Sequence, residues 1–371
     1  MFRVKNICLL IILVGALLIS GCDSPAATTT PAITTSLPQT ASTAKPDFTT
    51  GQPSQTPPPF TPPKTFEPPG IESTTPVIPA TTGPVFPPYY LPVFTALPMD
   101  LKMIADIVTL GNLNPPGHTF PTDHIYFYMT RPPGNPDRPY VADIYAPADL
   151  PITQVTASQH VTAGFTDYAI TFQPCREVII QYGHVTSLNT AVFGDVSDFS
   201  GWYLENEYST GGETYRNYRK NLDIAVKAGD LLGAADGNPG QWALDFNAYD
   251  ATYNPGTPAN PARWEQTNTL HGVCPLSLYA PGALRDSLIA LVNRDKVAGE
   301  EFPWGKVLYD IPGTAQGIWF REGTVNIYPE DPHLALVYSN LHPSLAAFSI
   351  GTSIPDIGGS VRLFTPVQAG F

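Results

Sequence analysis

From Tyr89 onward apolar and polar residues alternate in short runs, broken every few positions by proline, glycine or aspartate. Runs at 125–129, 152–156, 168–172 and 178–182 place β-branched and aromatic residues in strand-like patterns between turn residues, which predicts strands. The same reasoning predicts strands at 306–309, 317–320, 324–327, 334–338, 346–350 and 360–363. Helical periodicity is scarce. Leu284, Leu288, Leu291 and Val292 follow Pro281 at helical spacing, with Arg285 and Asp286 outward, and predict one short amphipathic helix. A fainter helical pattern covers 98–110. The folded region therefore reads as mainly β, its C-terminal part β-rich with one short helix.

The chain before Tyr89 has a different texture. Arg3 and Lys5 precede an almost wholly apolar stretch from Ile7 to Ile19, which ends in Ser20-Gly21-Cys22. That is the layout of a secretory signal, and the stretch is too short to cross a hydrocarbon core comfortably. Residues 23–88 are Thr, Pro, Ser and Ala with few charges and few large apolar groups. Such a tract cannot bury enough apolar area to offset its ordering entropy, so it is expected to be a disordered, semi-stiff linker.

The cysteine directly after Gly21 resembles the lipobox of bacterial lipoproteins. The resemblance implies that residues 1–21 are a signal peptide and that the mature chain begins at Cys22. There Cys22 would carry lipid, palmitate included, and tether the protein to the membrane on the extracytoplasmic side of the cell envelope. The formal charge of −13, with no basic block, argues against nucleic acid and against attraction to anionic lipid. Of four cysteines, Cys8 leaves with the leader and Cys22 takes the lipid. Cys175 and Cys274 remain, in a compartment where disulfides persist, and a Cys175–Cys274 disulfide bond is expected, with two free thiols as the alternative. His271 stands three residues before Cys274, but the disulfide is the simpler reading of that cysteine.

Dispersed segments from about 110 to 249 resemble, in order, the lysostaphin/LytM-type zinc endopeptidase domain. They are His118-Thr-Phe-Pro-Thr-Asp123-His124-Ile-Tyr-Phe-Tyr128, then Ile144-Tyr-Ala-Pro-Ala-Asp149 with 152–155, then 168–172 with Tyr182-Gly-His184-Val. Val226-Lys-Ala-Gly-Asp-Leu-Leu-Gly233 and Ala243-Leu-Asp245-Phe246 complete the set. The resemblance implies a duplicated hybrid-motif β domain at 89–250, followed by the β-rich region at 251–371. It gives His124 as the first metal ligand and His184 as one catalytic histidine. Tyr128 stands in place of the carboxylate ligand, Ala243 in place of the second catalytic histidine, and Asp245 in place of the third ligand.

With that set degraded, the expected function is binding or scaffolding at the cell wall, without catalysis and without a cofactor. Peptidoglycan or an envelope protein would be the partner. The first alternative is a zinc-dependent metallohydrolase whose site is rebuilt from His118, Asp123, His124, His184 and Asp245, since imidazoles with a carboxylate make ordinary zinc chemistry. Asp123 and His124 are adjacent, so on a regular strand they face opposite ways and could not both ligate without a bulge. The second alternative is a solute-binding lipoprotein, which would need more helix than this sequence has. In the C-terminal region, Trp319 or Phe320 would offer an aromatic binding platform, but alternation lets only one of them face solvent.

Overall fold

The computed structural model describes residues 86–131, 141–210, 213–264, 267–295, 304–325 and 327–367. The leader, the linker and Cys22 lie outside the described residues. Among the described residues no helix is long and apolar enough to cross a membrane.

Among the described residues fourteen strands follow one another: β1 (Ile104–Val108), β2 (His124–Met129), β3 (Ala142–Tyr145), β4 (Leu150–His160), β5 (Phe165–Cys175), β6 (Val178–Leu188) and β7 (Tyr203–Thr210), then β8 (Glu213–Val226), β9 (Leu231–Ala235), β10 (Ala243–Asp250), β11 (Gly317–Trp319), β12 (Leu334–Tyr338), β13 (Ala346–Ile350) and β14 (Ser360–Phe364). The first ten form one sheet in the order β1-β2-β10-β6-β5-β4-β8-β7, with β9 also pairing β6 and β3 pairing β9. The last four form an antiparallel meander, β11-β12-β13-β14. Among the described residues helices are few and short: α1 (Thr190–Phe193), α2 (Ala283–Ile289) and four 3₁₀ turns. The protein is thus mainly β, with two sheets.

Alternation explains how the large sheet packs. On β2, Ile125, Phe127 and Met129 enter the main core with Phe172, Tyr182 and Phe246, while His124, Tyr126 and Tyr128 take the other face. A second core lies under the small sheet and includes Ala335, Val337 and Ala347. Phe120, from the segment that leads into β2, is part of that second core. The backbone N–H of Phe120 donates to Glu330 Oε2 at 2.9 Å, and its ring stacks on His333 at 5.3 Å. The C-terminal region therefore grips the segment that carries His118 and leads to His124.

Three expectations need correction. Residues 98–110 are not a helix: a 3₁₀ turn at Leu101–Met103 runs into β1, whose Ile104, Ile107 and Val108 are β-branched and pair with β2. The predicted strands at 306–309 and 324–327 are not strands among the described residues. Gly305 instead makes one isolated bridge to Leu110, and Val307 and Tyr309 reach the second core from irregular backbone. The Cys175–Cys274 disulfide is absent, since both cysteines are free and buried. Each packs as a small apolar group in the main core; Cys175 Sγ donates to the Tyr90 carbonyl at 3.5 Å, and burial pushes the Cys274 thiol up to about 12.

Candidate functional site

Three neighbouring strands carry the site. β10 lies between β2 and β6, with Asp245 opposite Tyr126 on one side and Gly183 on the other. His124 is two pairs further along β2, opposite Asn247 and on the same face, so it meets Asp245 diagonally. His184 follows Gly183 and on a regular strand would point away from Asp245. A bulge reverses it. The β5–β6 register slips between Tyr168↔Val185 and Ile170↔Tyr182, and His184 has a left-handed backbone with φ of 58°. Gly183 leaves room for the crossing, since a Cβ there would sit 3.3 Å from the Asp245 Cβ.

The resulting geometry is tight. Asp245 Oδ2 lies 3.3 Å from His184 Nε2 and 3.7 Å from His124 Nε2. Each imidazole is held from behind by its own carboxylate: His124 Nδ1 by Asp123 Oδ1 at 3.1 Å, and His184 Nδ1 by Asp167 Oδ2 at 2.9 Å. Asp123, placed just before β2, therefore serves His124 instead of competing with it. Asp123 Oδ2 accepts hydrogen bonds from Thr269 Oγ1 at 2.8 Å and the Tyr249 hydroxyl at 3.1 Å. The His118 ring stands edge-on to His124 with centroids 5.3 Å apart.

Electrostatics follow from these contacts. Burial lowers His184, but Asp245 and then Asp167 outweigh it and raise the imidazole to about 9. Burial likewise opposes protonation of His124, and Asp245 with Asp123 again wins, so it is raised. His118 goes the other way, to about 4, through burial and the neighbouring His124, and is neutral at ordinary pH. Burial and then Asp245 raise the Tyr128 phenol, so it stays a hydrogen-bond donor.

By residue type, two imidazoles and a carboxylate suit a divalent metal. His124 Nε2 and Asp245 Oδ1 are buried without a hydrogen-bond partner, which is costly for groups that nothing else satisfies. Imidazoles whose Nδ1 is fixed by a carboxylate are the usual form of metal-binding histidine. Among the described residues no three His, Cys, Asp or Glu side chains stand in a ready metal-holding arrangement. The groups instead face one another directly as a His–Asp–His ion-pair cluster.

His118, His124, His184 and Asp245 are therefore brought together. Tyr128 lies opposite Ala243 on the same three strands, at the side of the cluster. Trp319 is elsewhere, 48% exposed on β11, its indole N–H donating to the Ala315 carbonyl at 2.8 Å, while Phe320 packs against the second core. His271 Nδ1 donates to the Tyr253 carbonyl and takes no part in the cluster. Sequence reasoning missed Asp167, Tyr249 and Thr269. An aspartate directly before the predicted strand at 168–172 was the only signal for the first. Compared with known proteins, the chain matches no family model, no curated protein and no solved structure.

Proposed function

We propose that this chain is an envelope lipoprotein whose large-sheet domain, of the duplicated hybrid-motif kind, holds a divalent metal through His124, His184 and Asp245 in a rebuilt hydrolase centre. One observation carries the reading: two imidazoles, each backed at Nδ1 by its own carboxylate, aim Nε2 at the same Asp245 oxygen. The leader ending at Cys22 and the linker after it support the membrane tether. A bound metal at such a site supplies Lewis-acid polarisation of a carbonyl and an activated water. The chain does the rest. Once a metal displaced the Nε2 protons, Asp123 and Asp167 would keep the Nδ1 protons in place and leave both Nε2 lone pairs facing inward. Tyr128 keeps its proton and can donate to a substrate oxygen. An open cleft of about 290 Å³, lined by His184, Asp167 and Asp245, admits a ligand.

A second reading, binding at the cell wall without turnover, is favoured by the pairing of Tyr128 with Ala243, where the resemblance calls for a carboxylate and a histidine. Metal analysis and activity separate the two. After dialysis against metal-free buffer the protein should retain about one zinc or cobalt per chain, and His124→Ala and Asp245→Ala should each reduce this to background. Purified cell-wall sacculi should then release new amino groups only with the metal-loaded protein. Absence of stoichiometric metal in the unaltered chain refutes the metal site; retained metal with bound but uncleaved sacculi establishes the second reading.

A further inference from the structure

We propose that one face of the large sheet is a track for an N-acetylated glycan chain, running from the His–Asp cluster to the edge strand β7. The proposal adds a ligand class to the site proposed above and rests on that reading only in placing one end of the track beside a metal. The strand registers build it. Residues directly opposite in an antiparallel pair share a face, and the pairings Asp167↔Ser158, Ser158↔Asn217 and Asn217↔Asn206 form one straight row across β5, β4, β8 and β7. At about 4.8 Å between strands, that row is about 14 Å long. It begins at Asp167, which holds His184, and the cleft over it continues to Asp245.

The row is polar yet its charges are already matched. Asp167 is paired with His184, and Glu205 on the β7 bulge accepts from Arg219 Nε at 2.7 Å. Between them, Asn217 Nδ2 donates to Asn206 Oδ1 at 2.7 Å. This leaves the Asn217 carbonyl and the Asn206 amide N–H as an acceptor and a donor side by side, the complement of a secondary amide. The ligand is therefore neutral and carries amides.

Aromatic rings border the row on both sides. On one side Phe165, His160, Tyr215 and Tyr208 form the next row, with ring centroids 4.1, 4.8 and 4.9 Å apart in succession. On the other side the Arg219 guanidinium lies over Tyr203, 5.3 Å from the ring centroid. Tyr203 is 63% exposed and Tyr208 49%, so both rings are accessible to a ligand. Pyranose rings suit such borders, because their C–H faces stack on aromatic surface while hydroxyls and an acetamide meet the amide pair. A neutral peptide would satisfy the amides but would leave the rings bare unless it carried ring side chains at the matching spacing.

Calorimetry with the tetramer of N-acetylglucosamine tests this, using cellotetraose as the acetamide-free control and pentaglycine as the peptide probe. The N-acetylated tetramer should bind at least tenfold more tightly than either control. Asn206→Ala with Asn217→Ala, and separately Tyr203→Ala with Tyr208→Ala, should each weaken it at least tenfold. Should a double variant fail to fold, side-chain amide shifts of Asn206 and Asn217 in the unaltered protein, moved by the N-acetylated tetramer alone, supply the same test. Equal or tighter binding of cellotetraose or pentaglycine, or no effect of tetramer on those amides, overturns the proposal. Chelation should leave glycan binding unchanged, so failure of the metal site and failure of the track are read independently.

Discussion

Single residues decide what this site can be. His184 reaches Asp245 only because it adopts a left-handed backbone that non-glycine residues rarely take, and such positions persist where surrounding structure over-determines them. Glu330 shows how far the second core influences the same neighbourhood. Its carboxyl is raised to about 7, first by burial, against the pull of the Phe120 N–H, and with Asp123 adding to the rise. A folded-state value above the ordinary 4.5 means that the folded chain binds this proton more tightly than the unfolded chain does. Its contribution to stability is complete below about 4.5 and is lost as pH rises through about 7. Glu330→Gln can still accept from Phe120, so its melting temperature should match the unaltered protein at pH 4.5 and exceed it by several degrees at pH 8. An offset that is the same at both pH values would show that Glu330 is not buried in this way.

At the scale of elements, the long antiparallel arms β4–β5 and β7–β8 and the bulge in β6 turn a sheet into a cleft. β9 is pressed so closely on β6 that a Cβ at Gly233, where φ is 156°, would sit 2.0 Å from the Ser187 carbonyl oxygen. Gly233→Ala should therefore cost roughly 1–3 kcal/mol, as forced overpacking does. Urea denaturation should show a lower midpoint at an unchanged slope. A midpoint like that of the unaltered protein would mean that β9 sits further from β6. The strands rich in β-branched and aromatic residues, 125–129, 152–156, 168–172 and 178–182, were all legible because they feed the main core. β7 and β8 were not predicted. Over most of their length polar residues, among them Glu205, Asn206, Glu207, Arg216, Asn217 and Arg219, pair with each other and mask any apolar period; only the end of β8 alternates, with Leu222, Ile224 and Val226 reaching the main core.

For the whole molecule, the C-terminal region is a working part of the site's surroundings. Thr269 fixes Asp123, Tyr328 lies 3.2 Å from the Thr269 hydroxyl, and Glu330 holds Phe120. The leader sets the expectation for where this assembly resides. Cys22→Ala should move the protein from the membrane pellet to the soluble fraction after a carbonate wash, since acyl chains hold by about 0.8 kcal/mol per buried methylene. A variant that stays in the pellet would defeat the lipid anchor.

What the sequence determined by itself is whatever local pattern encodes: the β class, α2, the eight strands at 125–129, 152–156, 168–172, 178–182, 317–320, 334–338, 346–350 and 360–363, and the candidate residues His118, His124, His184 and Asp245. Tertiary structure decided the rest. Whether Cys175 and Cys274 meet depends on how β5 and the turn after Gly272 enter the core, and spacing carries no such information. Asp167 and His184 stand seventeen positions apart and become partners only through the β5–β6 register. That register is set by side-chain burial across several strands at once, together with a one-residue bulge whose position no alternation pattern reveals. Convergence of two histidines on one aspartate is a property of three strands laid side by side, and it exists only when all three are in place.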